Sequence, residues 1–534
     1  MESLLSSGVL IPLAWLFASF PISGDVCTSV YRWQSSLQFG FGLLAVGLSL
    51  FTLFQTIPGD AEAFAAPGVA GTLLSFSVDR LSAILLITVS FIGLIIVRYS
   101  HAYLAGEAGQ GHVLSGLCQT LAALTLFICA GNVWLLLLAW FSINRSVQRL
   151  LNFYPKRHAV VLAARKKHFF SRCSEVALLL AVVSLWKISG TSNIAEMNAV
   201  VESSLAAGTS DLGLWGSAAV CLALAAIFMC AQFPTHSWLM EIADAPTPVS
   251  ALLHVGVVNA GGMLLLRFSD VLASSGVGMF LLIVIGGASA LYGSLVMLTQ
   301  RSVKVTQAYS TVAQMGFMLM QCGLGVFGSA TLHIVAHSLH KAHAFLALGS
   351  SVDPVRVNGL SGREAQPRFE SVVFGFAVAT TLFLGFVKLS GDAFALHPAI
   401  IGLWLVISMG AMQLVAQASR GASRVTAALR AAGASVLLGT IYFSLQAACE
   451  QLLAGAVATP GPLSTASGFI FAFVLVTFAV ITSLQWAIPW LKKRRLWQAF
   501  WVHTSNGFYI NQLSNQFLSL PPRERNADIT RTIG

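Results

Sequence analysis

The chain has 534 residues, of which 56% are hydrophobic and only 9% charged. A soluble globular chain carries roughly a quarter charged residues, so this composition excludes a soluble fold. A formal net charge of +10 invites a nucleic-acid reading, but in a membrane chain a basic excess records topology, and no nucleic acid is expected.

Apolar runs of about 20 residues recur along the chain, long enough to cross a hydrocarbon core as helices. Inside lipid the backbone must satisfy its own polar groups, so the expected class is an all-α polytopic bundle in a lipid membrane. In chain order the spans fall at 6–23, 36–57, 80–97, 114–130, 132–151, 172–190, 212–232, 248–268, 276–298, 304–324, 328–350, 370–390, 397–418, 426–447 and 467–489. The first run follows Glu2 with no basic cluster, so it reads as a retained span more than a cleaved signal peptide. Eight scattered cysteines with no C-x-x-C spacing read as small apolar fillers.

Charge then orients the bundle. The connection after the fifth span holds Arg145, Arg149, Lys156, Arg157, Arg165, Lys166, Lys167 and Arg172, whereas the next carries Glu196, Glu202 and Asp211. The alternation continues through Arg301 and Lys304, Arg356 to Arg368, Arg420 to Arg430 and Lys492 to Arg495, with Lys187 the main exception. The N-terminus is therefore expected outside and the C-terminus in the cytoplasm.

Between the seventh and eighth spans, Pro234, Pro246 and Pro248 interrupt helical hydrogen bonding, as in the discontinuous helices of transporters. His254 follows inside the eighth span, either as an ion-path group or as a satisfied structural histidine. In the eleventh span His333, His337 and either His340 or Lys341 share one helical face. Such a titratable stripe can pass protons; metal ligation by the i, i+4 histidines is the rival, and the charge of Lys341 opposes it. Lys388, in the twelfth span, either joins the path or snorkels to an interface. The tail mixes Trp497, Trp501, Phe508 and Tyr509 with basic residues, which suits an interfacial anchor or a docking segment for a cytoplasmic partner. With no Gly-rich phosphate loop, C-x-x-C metal pair or soluble catalytic domain in the chain, no catalytic centre and no cofactor are expected.

Ala231-Gln-Phe-Pro-Thr-His-Ser-Trp-Leu239, Pro246-Thr-Pro-Val-Ser-Ala-Leu-Leu-His254 and Arg267 resemble the signature of the antiporter-like subunits of respiratory complex I and Mrp cation/proton antiporters. So do Lys304 followed by Ala308-Tyr-Ser-Thr311, Gln314-Met-Gly-Phe317, and His333-x-x-x-His337 followed by Lys341; the likeness runs from about 78 to 390. The resemblance implies two inverted five-helix repeats with broken helices. Here these would occupy 111–268 and 269–420, with N-terminal helices in 1–110, C-terminal helices in 421–490 and an amphipathic cytoplasmic tail in 491–534. It also implies a buried proton path, with His254, His333, His337, Lys341 and Lys388 on its positions and Lys304 in its motif.

Two positions depart from that pattern. The usual glutamate after the Trp of the fifth span is Phe141, following Trp140, and the usual lysine before Ala-Gln-x-Pro is Met229. Glu175, which matches a family acidic site, can supply a substitute charge. His254-Val-Gly-Val-Val-Asn-Ala-Gly-Gly262 and Val502-His-Thr-Ser-Asn-Gly-Phe-Tyr509 are similar instead to the membrane (DabB-type) subunits of DAB inorganic-carbon complexes. That resemblance implies a prokaryotic inner-membrane protein and a large cytoplasmic zinc partner of the DabA type, similar to β-carbonic anhydrases. H+ or Na+ flow would drive hydration of carbon dioxide to bicarbonate in that partner, which would hold the zinc. The competing expectations are an antiporter or complex I subunit proper, against which Phe141 and Met229 count, and an inert membrane anchor, against which the buried stripe counts.

Overall fold

Among the described residues of the computed structural model, apolar runs fold into helices. The structure describes residues 2–20, 28–57, 75–351 apart from 108, 154–157 and 207–211, isolated positions between 377 and 402, and 424–518 apart from 460, 462–463 and 492–493. The first eight helices are α1 (Glu2–Ala18), α2 (Thr28–Thr56), α3 (Arg80–Tyr103), α4 (Gln110–Ile128), α5 (Val133–Asn152), α6 (His158–Ser189), α7 (Ile194–Ala206) and α8 (Leu212–Met229). Short pieces follow, α9 (Ser237–Glu241), α10 (Thr247–Leu252), α11 (Ala260–Arg267) and α12 (Ser269–Ala273), then α13 (Gly276–Met297), α14 (Val303–Gly323) and α15 (Phe327–Leu346). Towards the C-terminus come α16 (Arg424–Leu452), α17 (Thr465–Leu491), α18 (Arg495–Ser505) and α19 (Ile510–Leu518).

Among the described residues, six helical segments are long and apolar enough to cross a membrane, in α2, α3, α4, α6, α13 and the stretch Thr247–Arg267. The helices α5, α14 and α15 have spanning length too, but their polar groups dilute the apolar signal, and those groups line the candidate site. The spans expected at 370–390 and 397–418 lie mostly outside the described residues.

Three expectations change. The helix expected at 172–190 begins at His158 and runs for 32 residues, so Lys166 and Lys167 lie inside it, both buried, and not in a connecting loop. A lysine pair beside Arg165 looks solvated in sequence because the acceptors that receive it sit on other helices. The loop after α6 contains the unforeseen α7, a 13-residue helix. Finally, the span expected at 248–268 is broken, with α10 passing through a π-helical turn at Leu253–Val257 before α11. The Val255 carbonyl left loose by that turn accepts from Asn259 Nδ2 (2.6 Å) and Ser338 Oγ (3.1 Å), which satisfies it without water.

Helix α13 lies directly against α14. A Cβ on Gly316 would stand 2.6 Å from the Gly286 carbonyl oxygen, so only glycine permits this approach, as at small-residue contacts between membrane helices.

Candidate functional site

Helix α15 carries the titratable stripe and α14 faces it with acceptors. His333 Nδ1 pairs with Gln321 Oε1 (3.0 Å), His337 Nδ1 with Gln314 Oε1 (2.5 Å), and Lys341 Nζ donates to both Oε1 and the carbonyl of Gln307 (2.9 Å each). The glutamines stand seven residues apart, two helical turns, so each meets one titratable group across the helix contact. Lys341 is fully buried and continues the hydrogen-bonded row, whereas His340 is exposed and faces the cavity beside it. A cavity of about 350 Å³ lies along it, lined by His333, His337, His340, Phe317 and Tyr442.

His254 joins this row from the π turn. It is 1% exposed, its Nδ1 lies 3.0 Å from Thr311 Oγ1, and its ring stacks on Phe345 with centroids 4.5 Å apart. Thr311 lies one turn from Gln307 on the same face of α14, so the row runs His333, His337, Lys341 and His254 around one helix.

In the other half, Glu175, which the sequence singles out, has a neighbour that the motifs miss. Lys167 Nζ, reaching in from α6, donates to Asn144 Oδ1 (2.8 Å) and Ser171 Oγ (2.7 Å), and lies 3.9 Å from Met229 Sδ and 5.1 Å from the Trp238 ring. Asn144 Nδ2 donates in turn to Glu175 Oε1 (3.1 Å), and Arg172 pairs with Glu175 at 2.7 Å. A lysine from a different helix therefore stands beside Met229, and Glu175 is joined to it through Asn144. All of Lys167, Asn144 and Glu175 are at most 3% exposed. An ionisable pair enclosed among helices is expensive unless it serves a path.

The prolines shape the link between the halves. Pro234 follows the end of α8 at Met229, and Pro246 and Pro248 open α10. Lys304 stands apart from the titratable row and donates instead to the Ala245 carbonyl (3.2 Å), holding the chain ahead of Pro246. Glu241, at the end of α9, pairs with the buried Lys166 at 2.6 Å, and Lys166 also donates to Asn511 Oδ1 of α19 (2.7 Å). His236 Nε2 lies 3.1 Å from Tyr292 Oη, which donates to the Gly507 carbonyl (3.0 Å). The tail is thus fastened to the broken segment at several points, Ser237 to Ser514 among them (2.9 Å). Phe508 and Tyr509 both have positive φ, at 49° and 61°, a conformation costing roughly 1–2 kcal/mol per residue.

The four aromatic tail residues expected to bind a partner divide accordingly. Phe508 packs towards Tyr292 and Phe500, and Trp497 towards Phe500 and Trp501, so they anchor the tail to itself and to the bundle. Tyr509 packs on His503. Exposed apolar surface lies beside them, at Leu496 (87% exposed), Leu513 (62%) and Phe517 (81%), the last meeting Phe169 of α6 edge-on. Lys388 occupies an exposed helical position, and none of the described contacts joins it to the row.

Comparison with known proteins agrees with this geometry. The family model described as NADH:quinone oxidoreductase/Mrp antiporter, TM, matches residues 130–361, and that of the complex I chain 5 N-terminus matches 71–112. The solved Mrp complex from Dietzia sp. DQ12-45-1b is 20% identical, with a TM-score of 0.62 over 97% of this chain and 58% of that one, and shares the fold. "Probable inorganic carbon transporter subunit DabB2" of Halothiobacillus neapolitanus is 36% identical over 92% of this chain and 89% of its own. The corresponding DabB of Hydrogenovibrio crunogenus is 33% identical over 94% and 92%. With likeness of that extent, and with ionisable groups buried in a helical bundle of antiporter architecture, the chain belongs to the DabB family of inorganic carbon transporter subunits and is a multi-pass membrane protein.

Proposed function

We propose that this chain is the ion-conducting subunit of a prokaryotic inner-membrane complex, in which H+ or Na+ flow drives hydration of carbon dioxide to bicarbonate in a cytoplasmic zinc-containing partner of the DabA type. The observation that carries this reading is the enclosure of ionisable groups in both halves: Glu175 and Lys167, bridged by Asn144, in one, and Lys341, His337 and His254, with the half-buried His333, in the other. An inert anchor has no use for such groups, since each destabilises a membrane bundle by several kcal/mol. The chemistry itself, and the zinc, belong to the partner. Zinc-hydroxide hydration is reversible, so accumulation needs an external bias. One charge crossing the membrane gains about 2.3 kcal/mol per 100 mV, more than tenfold in an equilibrium constant.

The tail supplies the connection. Its exposed Leu496, Leu513 and Phe517 present an apolar docking surface, while Asn511 on the inner side touches the Lys166–Glu241 pair of the broken segment. A partner seated on α18 and α19 would sense the state of that pair. Uptake of inorganic carbon in cells expressing both subunits tests the proposal: it should collapse with a protonophore or sodium ionophore and survive ATP depletion while the gradient is held. Accumulation that persists with both gradients dissipated would remove ion coupling, and copurification without a zinc protein would favour an antiporter instead.

A further inference from the structure

A groove of about 670 Å³ runs along the flank of the bundle between α1, α4 and α5, and the proposed ion path leaves it unused. Its walls are apolar, with Leu13 and Leu16 from α1, Ala122 and Leu126 from α4 and Phe141 from α5. One and two turns beyond Phe141 the lining changes, to Arg145 and Arg149, and Arg172 of α6 joins them. Among the described residues, no carboxylate lines the groove. Arg172 is paired with Glu175, but Arg145 and Arg149 make no ion pair among the described residues, and the bond from Arg149 to Gln119 is long, at 3.5 Å. The rim faces outward, with Leu16 46% and the neighbouring Leu138 55% exposed, where a membrane bundle meets lipid.

We propose that this groove is a binding site for an anionic phospholipid, with an acyl chain along Leu13, Ala122 and Phe141 and the phosphate between Arg145 and Arg149. The two guanidinium groups stand four residues apart on one helical face, and a phosphate oxygen set accepts from such groups in bidentate fashion. A zwitterionic headgroup would bring its own ammonium to the same arginines and lose that preference. Free phosphate lacks the chain that the apolar walls would bury. Because Arg172 lies between the groove and Glu175, the bound phosphate would share the cation that pairs with this acid.

The test uses the full chain, purified with its complex partner, washed free of lipid, and titrated with phosphatidylglycerol or phosphatidylcholine, with retained lipid counted by native mass spectrometry. Phosphatidylglycerol should be retained, and R145Q/R149Q should weaken it by about thirtyfold, the combined effect of two arginines at an anionic headgroup. L13W, which fills the groove without changing charge, should abolish retention of either lipid at this site and serves if the arginine variant does not assemble. Equal retention of the two lipids, retention unchanged in both variants, or displacement by inorganic phosphate alone would overturn the proposal.

Discussion

Replacing Lys167 by Met isolates the pair that the tertiary structure reveals. Its ammonium makes two hydrogen bonds to oxygen, to Asn144 and Ser171, beside a long contact to Met229 Sδ. At about 1.5–3 kcal/mol for a bond to a charged group, removing both loses roughly 3–6 kcal/mol. The same substitution relieves the desolvation of a buried ammonium, itself several kcal/mol. That relief limits the loss, and Glu175 keeps Arg172 as its partner, so no uncompensated charge is left and the variant should still assemble, at reduced abundance. Transport is not offset in the same way. A positioned proton-transfer group contributes about 10²–10⁴-fold, so K167M should reduce gradient-driven inorganic-carbon uptake at least a hundredfold. Because Met229 Sδ lies only 3.9 Å from Lys167 Nζ, the double variant K167M/M229K returns an ammonium to the same pocket and should recover about tenfold or more over the single variant. Uptake would be measured with labelled bicarbonate in cells co-expressing the partner, normalised to membrane-assembled complex. If K167M retains uptake within about twofold of the unmodified protein, the pair has no part in conduction; if it fails and M229K does not help, the position of the charge is not what matters.

Three further outcomes follow from the same geometry. K341M keeps the apolar stem in its buried site opposite Gln307 and should abolish energy-dependent uptake while the complex still copurifies; normal uptake at normal expression would take the stripe out of the mechanism. On the exposed side of the tail, L513D/F517D should release the proposed cytoplasmic partner with little change in the melting temperature of the isolated chain, since both side chains are mostly exposed, and a partner that stays bound would contradict docking there. N511L removes the acceptor from Lys166 while leaving the outer surface intact. It should therefore keep the partner and lose at least half of uptake, whereas loss of both together would mean that Asn511 only stabilises the tail.

The class of this protein and much of its candidate site are local properties. Composition and apolar runs of spanning length determine a helical membrane bundle, because lipid leaves the backbone no other way to bond. The proline spacing at 234, 246 and 248 determines a broken segment, because proline removes a donor wherever it sits. The i, i+4, i+8 spacing of His333, His337 and Lys341 puts them on one face, because helix geometry is fixed by bonds four residues apart. What each side chain meets is another matter. That Gln321, Gln314 and Gln307 answer those three groups in register depends on how α14 lies on α15, although the heptad of glutamines is visible in the sequence once its partners are known. That Lys167 reaches Met229, and Lys166 joins a glutamate of the broken segment to the tail, depends on α6 packing between α5, α8, α9 and α19. A lysine reads as a loop charge when only its sequence neighbours are considered; burial and a partner some 60 to 350 residues away arise from packing between helices, which no local periodicity encodes.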